Sequence, residues 1–192
     1  MSLLPATTVL DYGTSQAAVS LNPSSENSED AYGTHFKVGK FCPNLTTGDM
    51  IVASAPKYAY GKGGFGLIYR TTAVKTQKRL AHTDNNAQAG TAFDIGDIND
   101  DGKNDLVFQS QTASGPRVEV LSDFCNSGWT MNTEDAVING VPGSRFGEDI
   151  HIVKLNNSNE IAVVDGASNE IHFYVFKEKQ LITSRPRYLH NT

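Results

Sequence analysis

The chain has 192 residues, of which 39% are hydrophobic and 19% charged, with a formal net charge of −5. That is enough chain for a sizeable core, and the acidic balance argues against a nucleic-acid or anionic-membrane surface role, both of which need basic patches. No apolar run approaches the roughly 18 residues needed to cross a bilayer, so neither nucleic acid binding nor membrane insertion is expected.

From the N-terminus, residues 1–10 lack a basic region and a long apolar stretch, so they do not read as an intact signal peptide. Thr8-Val9-Leu10 and residues 17–21 are β-type runs, and residues 23–30 are a polar linker. A repeat begins next. Tyr32-Gly33, Ala89-Gly90 and Phe146-Gly147 lie 57 residues apart twice over (89 − 32 and 146 − 89). Each opens a similar passage that reaches a polar loop. A β-type run follows at residues 50–53, 106–108 and 161–164. A small or polar turn comes next: Ser54-Ala55-Pro56, Ser110-Gln111-Thr112, Asp165-Gly166-Ala167. Third runs occupy residues 65–69, 118–121 and 171–176, and a weaker fourth closes each unit. The runs are short, rich in β-branched and aromatic residues, and punctuated by Gly, Asn, Asp and Ser. No segment sustains a helical period.

This pattern predicts an all-β protein built of β-propeller blades of four antiparallel strands. The expected division is a half blade over residues 1–30 (third and fourth strands), then repeats over 31–87, 88–144 and 145–192. About three and a half blades leave uncovered faces and edges, which predicts a partial propeller or one completed by a second copy in a homodimer.

The second repeat carries a loop with chemistry in it: Asp97-Ile98-Asn99-Asp100-Asp101-Gly102-Lys103-Asn104-Asp105. Calcium takes six to eight oxygen ligands. Alternate residues of a tight loop can turn the side-chain oxygens of Asp97, Asn99 and Asp101 inward. Gly102 permits the sharp turn, Lys103 offers its main-chain carbonyl with its side chain in water, and Asp105 closes the site. An EF-hand would need Glu at the twelfth position and flanking helices; here that position is Phe108, in a β-type run. Ca2+ is the expected cofactor, and a metal-free Asn/Asp/Gly turn is the competing reading. The corresponding loops of the other repeats open with Lys40 and Lys154. The first is expected to be one residue longer than the calcium loop and the third two shorter. An ammonium could replace the cation there, although a solvated turn is the simpler reading.

Taken together, Phe146-Gly147, Tyr32-Gly33, the Asp97–Asp105 loop and Ser54-Ala55-Pro56 resemble the Phe-Gly, calcium loop and Gly-Ala-Pro signature of the FG-GAP repeats of integrin α chains. The resemblance covers most of residues 30–178. It departs from the family in copy number, since integrin-type propellers have seven blades. It implies an extracellular or cell-surface location and a calcium-binding interaction or adhesion module that binds a protein partner without catalysis. A glycan-binding lectin, or an accessory fragment of a larger secreted protein, is the alternative.

Other signals weigh less. Gly61-Lys62-Gly63-Gly64-Phe65-Gly66 lacks the ordered phosphate-loop pattern and no helix follows. His35, His82, His151, His172 and His190 show no metal-ligand spacing, and no nucleophile elbow is present. Tyr58, Tyr60, Phe65, Tyr69 and Trp129 suit strand packing more simply than a sugar surface. Asn44-Leu45-Thr46 and Asn156-Asn157-Ser158 match glycosylation sequons. Cys42 and Cys125 fall in different repeats, one in an inner loop and one toward an outer edge. They are therefore expected to stay unbonded, beyond the roughly 7 Å Cα limit of a bridge.

Overall fold

A computed structural model describes residues 33–70, 75–126, 130–131, 135–155 and 157–188. The half unit expected over residues 1–30, and Trp129, lie outside the described residues.

The chain is all-β. Its strands are β1 (Phe36–Gly39), β2 (Met50–Ser54), β3 (Gly64–Arg70), β4 (Lys75–His82), β5 (Phe93–Gly96), β6 (Asp105–Thr112), β7 (Gly115–Leu121), β8 (Thr130–Met131), β9 (Ala136–Asn139), β10 (Phe146–Leu155), β11 (Ser158–Asp165), β12 (Glu170–Lys177) and β13 (Gln180–Tyr188). They form three antiparallel meanders, β1-β2-β3-β4, β5-β6-β7-β9 and β10-β11-β12-β13, and β8 adds in parallel to the outer edge of β4. The expected four strands per unit are therefore present in each of the three described sheets.

Alternation fixes which side of each sheet is covered. In the first sheet Val52, Phe65, Leu67 and Leu80 share one face. They meet Phe93, Leu106, Phe108 and Leu121 of the second sheet in one core cluster. The other side of the second sheet, with Val107, Val118 and Val120, meets Ile150, Ile161, Val163, Tyr174 and Phe176 of the third. The sheets thus stack in chain order, the forward face of one on the back face of the next. Their first strands run side by side: Asp94 on β5 takes the Lys37 ammonium of β1 at 2.9 Å and the Ile152 N–H of β10 at 2.8 Å.

The 57-residue recurrence has a backbone cause. Gly33, Gly90 and Gly147 all take positive φ, at 79°, 96° and 81°, where an L side chain is strained. Gly90 and Gly147 also touch the preceding sheet. A Cβ on Gly90 would stand 3.1 Å from Ser54 and Phe65, and one on Gly147 2.8 Å from Gln109 and 3.1 Å from Val118. Ser54↔Phe65 and Gln109↔Val118 are equivalent pairs in successive sheets, so the same close approach is made twice.

Between the first two sheets lies a buried polar network. Glu119 is fully buried and takes hydrogen bonds from Ser110 Oγ and Arg117 Nε, the latter at 2.6 Å. His82 Nδ1 accepts the Asp84 N–H at 3.0 Å, which leaves Nε2 as the ring nitrogen that donates to Glu119 at 3.4 Å. Burial pushes the Glu119 carboxyl up, but the bonds from His82 and Ser110 and the Arg117 charge outweigh it and hold the carboxyl below its ordinary range.

One expectation is overturned. Cys42 and Cys125 form a disulfide, with a Cα–Cα distance of 5.5 Å. The segment after β7 does not run to an outer edge. Phe124, fully buried, inserts into the cluster between the first two sheets and draws the 3-10 turn Phe124–Asn126 over the loop end of the first sheet, where Cys42 lies. Met131 on β8 enters the same cluster.

Candidate functional site

The loop at residues 97–104 leaves β5 and enters β6. Its first carboxylate organises it. Asp97 Oδ1 accepts the Asp101 N–H at 3.1 Å and Oδ2 the Gly102 N–H at 2.8 Å. Asn99 Oδ1 shares the Asp101 N–H at 3.1 Å, and Asn99 Nδ2 donates to Asp101 Oδ2 at 3.3 Å. Asp101 Oδ1 accepts the Lys103 N–H at 2.8 Å. Gly102, with φ of 81°, makes the turn, and a Cβ there would meet no atom of the described residues within 4 Å, so the backbone conformation rather than crowding selects glycine. Asp97, Asn99 and Asp101 are therefore brought together as the spacing predicts.

Asp105 sits behind the loop at the start of β6, fully buried. Its Oδ2 accepts the Ile98 N–H at 3.1 Å and its Oδ1 the Asp123 N–H at 2.9 Å. Burial pushes its carboxyl up to about 6. The two N–H groups pull the other way, while the charges of Asp101 and Asp97 push in the same direction as burial. The Lys103 side chain turns outward to Asp123 Oδ2 at 2.8 Å, a contact that raises its own pKa. Among the described residues no group of three or more His, Cys, Asp or Glu side chains gathers into a metal cage. Asp105 is anchored by main-chain N–H groups and does not join a ring of carboxylates.

The donor set nevertheless fits a hard cation. Asp97, Asn99, Asp101 and the Lys103 carbonyl supply oxygen only, as calcium requires. Each carboxylate oxygen has two acceptor sites, so one N–H contact leaves room for a second partner. The upward push on Asp105 from its acidic neighbours is the repulsion a divalent ion relieves.

Asn104 of the motif and two residues outside it, Asn159 and Asp123, hold the loop. Asn159 on β11 donates to the Asp97 carbonyl at 2.8 Å and to Asp100 Oδ1 at 2.9 Å. Asn104 donates to the Phe41 carbonyl of the first sheet's loop at 2.8 Å. Asp123 links Asp105, Lys103 and Asn126. Nothing in the local spacing marks Asn159 or Asp123, because their roles arise from contacts across 59 and 18 residues. A cleft of about 370 Å³ opens beside the loop, bounded by Lys40, Phe41, Asn44, Gly102, Lys103 and Asn126.

Register settles the other two loops. Gly39↔Met50, Gly96↔Asp105 and Val153↔Glu160 are equivalent pairs. They enclose ten, eight and six residues (50 − 39 − 1, 105 − 96 − 1, 160 − 153 − 1). The first loop is thus two residues longer than the second, not one, and the fully buried Met50 occupies the Asp105 position. The third is two shorter, as expected. Of the aromatic set, Phe65 and Tyr69 are core residues, Tyr58 lies under the Arg79 guanidinium, and Tyr60 is exposed. They form no shared surface.

No family model matches the chain, and no curated protein matches its sequence.

Proposed function

We propose that the three sheets are blades of a propeller-type repeat module that binds one calcium ion and works by holding a partner, without catalysis. The observation that carries this reading is the Asp97–Asp105 loop: side-chain oxygens at alternate positions, a positive-φ glycine, and a buried carboxylate at its base. Asp97, Asn99, Asp101 and the Lys103 carbonyl would hold the ion, with Asp105 as the inner anchor. The ion would supply rigidity. It would cross-link the two ends of a loop already tied to the sheets on either side through Asn104 and Asn159.

Chain-order stacking and side-by-side first strands support the propeller reading, and with it the likeness to integrin-type FG-GAP repeats. The Cys42–Cys125 bond supports an extracellular or cell-surface location, since disulfides form and persist in oxidising compartments. A protein partner is what the likeness to integrin-type repeats implies.

Calorimetric titration tests the calcium site. One ion per chain is expected, with binding abolished by Asp97→Ala or Asp105→Ala in a protein that remains folded. Absence of heat at millimolar calcium, in a folded sample, removes the reading. Calcium at a hundred times its dissociation constant should stabilise the fold by about 2.7 kcal/mol, because only the native state binds it.

A further inference from the structure

Two asparagines stand at the same place in successive sheets. Gly96↔Asp105 and Val153↔Glu160 are equivalent pairs. Asn104 and Asn159, each one residue before the second member, are therefore equivalent too. Alternation carried one step back from β6 puts Asn104 on the side of Leu106 and Phe108, which meets the first sheet. It puts Asn159 on the side of Ile161 and Val163, which meets the second. Each amide reaches back to the loop of the sheet before it, Asn104 to the Phe41 carbonyl and Asn159 to the Asp97 carbonyl, both at 2.8 Å. In the first sheet the same place holds Asp49, whose ionised carboxylate has no proton to donate.

The two contacts differ in what they hold. Phe41 belongs to a loop without the acidic arc, whereas Asp97 is the residue that organises the arc. Asn159 spends its second N–H on Asp100 Oδ1 at 2.9 Å. Both of its partners are oxygens, so Nδ2 and not Oδ1 faces the loop. Asp100 has φ of 60°, a conformation that a short aspartate tolerates. Its carboxylate meets the third sheet, while the side chains of Asp97, Asn99 and Asp101 gather about the arc's own N–H groups. The grip is firm because Asn159 is itself fixed in a strand pair, opposite Lys154.

We propose that Asn159 is a positioning residue for the acidic arc, and that calcium held by the arc in turn fastens the third sheet to the second. The proposal rests on the calcium reading above. Asn159 contacts the Asp97 carbonyl and the Asp100 carboxylate, not the oxygens of Asp97, Asn99 and Asp101 assigned to the ion. It holds the arc from outside, so the arc has less freedom to lose on binding. Linkage makes the effect reciprocal: what the docked hairpin β10-β11 adds to calcium affinity, calcium adds to the docking of the hairpin.

Calorimetric titration of the full chain with calcium chloride tests the first half. Asn159→Ala should raise the dissociation constant about tenfold or more, the cost typical of losing a partner that orients a ligand residue. Ile161→Val loosens the same packing without touching the loop, and should leave the constant within roughly twofold while the protein stays folded. Hydrogen exchange read by mass spectrometry, with and without calcium at matched ionic strength, tests the second half. Calcium should slow exchange in β10 and β11 of the wild type, and in Asn159→Ala it should slow exchange in the second sheet alone. A wild type that binds no calcium removes the calcium reading and this proposal with it. A wild type that binds, with Asn159→Ala equal to it, overturns this proposal alone. So does an equal loss in Ile161→Val, or calcium that leaves β10 and β11 unchanged. Should Asn159→Ala lose its β-type circular dichroism, wild-type exchange decides, since it needs no variant.

Discussion

The Asp105 carboxylate accepts the backbone N–H of Asp123 at 2.9 Å. Two residues further on, Cys125 is bonded to Cys42 in the first sheet's loop. The base of the acidic loop is therefore held by a segment that the disulfide pins to a neighbouring sheet.

Breaking that bond should act on both stability and the loop. The bridge spans 83 residues, and closing a loop of that order in the unfolded chain is worth about 4.5 kcal/mol on the chain-entropy account. The Cys42→Ser/Cys125→Ser double variant should melt lower by many degrees. It should also bind calcium more weakly, because Asp123 no longer fixes Asp105. Thermal melts and calorimetry on the same preparation check both. Unchanged calcium affinity would separate the bridge from the loop.

Without calcium, stability should fall as the pH rises from about 4 to about 7. Asp105 has its carboxyl pushed up from 3.8 to about 6 by burial first, against its two N–H partners. An acid with a raised folded-state value holds its proton more tightly when folded. Its contribution is therefore full below 3.8 and is lost as the pH climbs through about 6. Urea unfolding of chelator-treated protein at several pH values should show the decline, and Asp105→Asn should flatten it. Saturating calcium, which favours the ionised carboxylate, should flatten it too.

Glu119 sets a separate, acid-side limit. Its carboxyl is held below its ordinary value of 4.5, burial being outweighed by His82, Ser110 and Arg117. That stability is present above 4.5 and is lost as the pH falls through the depressed value. Glu119→Ala leaves Arg117 and His82 without their buried partner, and should cost about 3–5 kcal/mol at neutral pH. Denaturant unfolding of the variant at pH 7 measures it.

The repeat glycines should not be equally sensitive. Gly33→Ala meets strain at φ 79° but no atom of the described residues within 4 Å, so about 1–2 kcal/mol is expected. Gly147→Ala adds a contact at 2.8 Å with Gln109 and another at 3.1 Å with Val118, and should cost roughly 1–3 kcal/mol more for the overpacking. Equal losses in melting experiments would show that the approach between sheets carries no energy.

Much of this architecture is legible in the sequence, and the residues explain why. The 57-residue period is visible because each recurrence needs a glycine at positive φ, which restricts the residue type whatever the neighbours. The Asp97–Gly102 arc is visible because its bonds join residues two to five apart. The disulfide is not, since it depends on Phe124 finding the core between two sheets. The first loop's length is misread by one residue because Met50 sits at the Asp105 position, and an apolar residue there gives no sign of the register. Asn159 and Asp123 escape for the same reason as Cys125: their partners are distant in sequence.

The short strand β8 bears on how the chain assembles as it is made. Met131 pairs with His82 across 49 residues (131 − 82), and Thr130 with Ala81, so β8 pairs the last two residues of β4 on their outer side. The meander of the first sheet is complete in its own stretch of polypeptide, but the end of β4 takes its outer partner from the second. On the ribosome, where domains fold as units in the order they emerge, Ala81 and His82 gain that partner when residue 131 has left the exit tunnel, by which time β5, β6 and β7 have followed the first sheet out. The repeat boundary in the sequence is thus not a clean boundary of structure: a cut between the first two units would part β8 from β4 and leave the Cys42–Cys125 bond as the covalent link between the pieces.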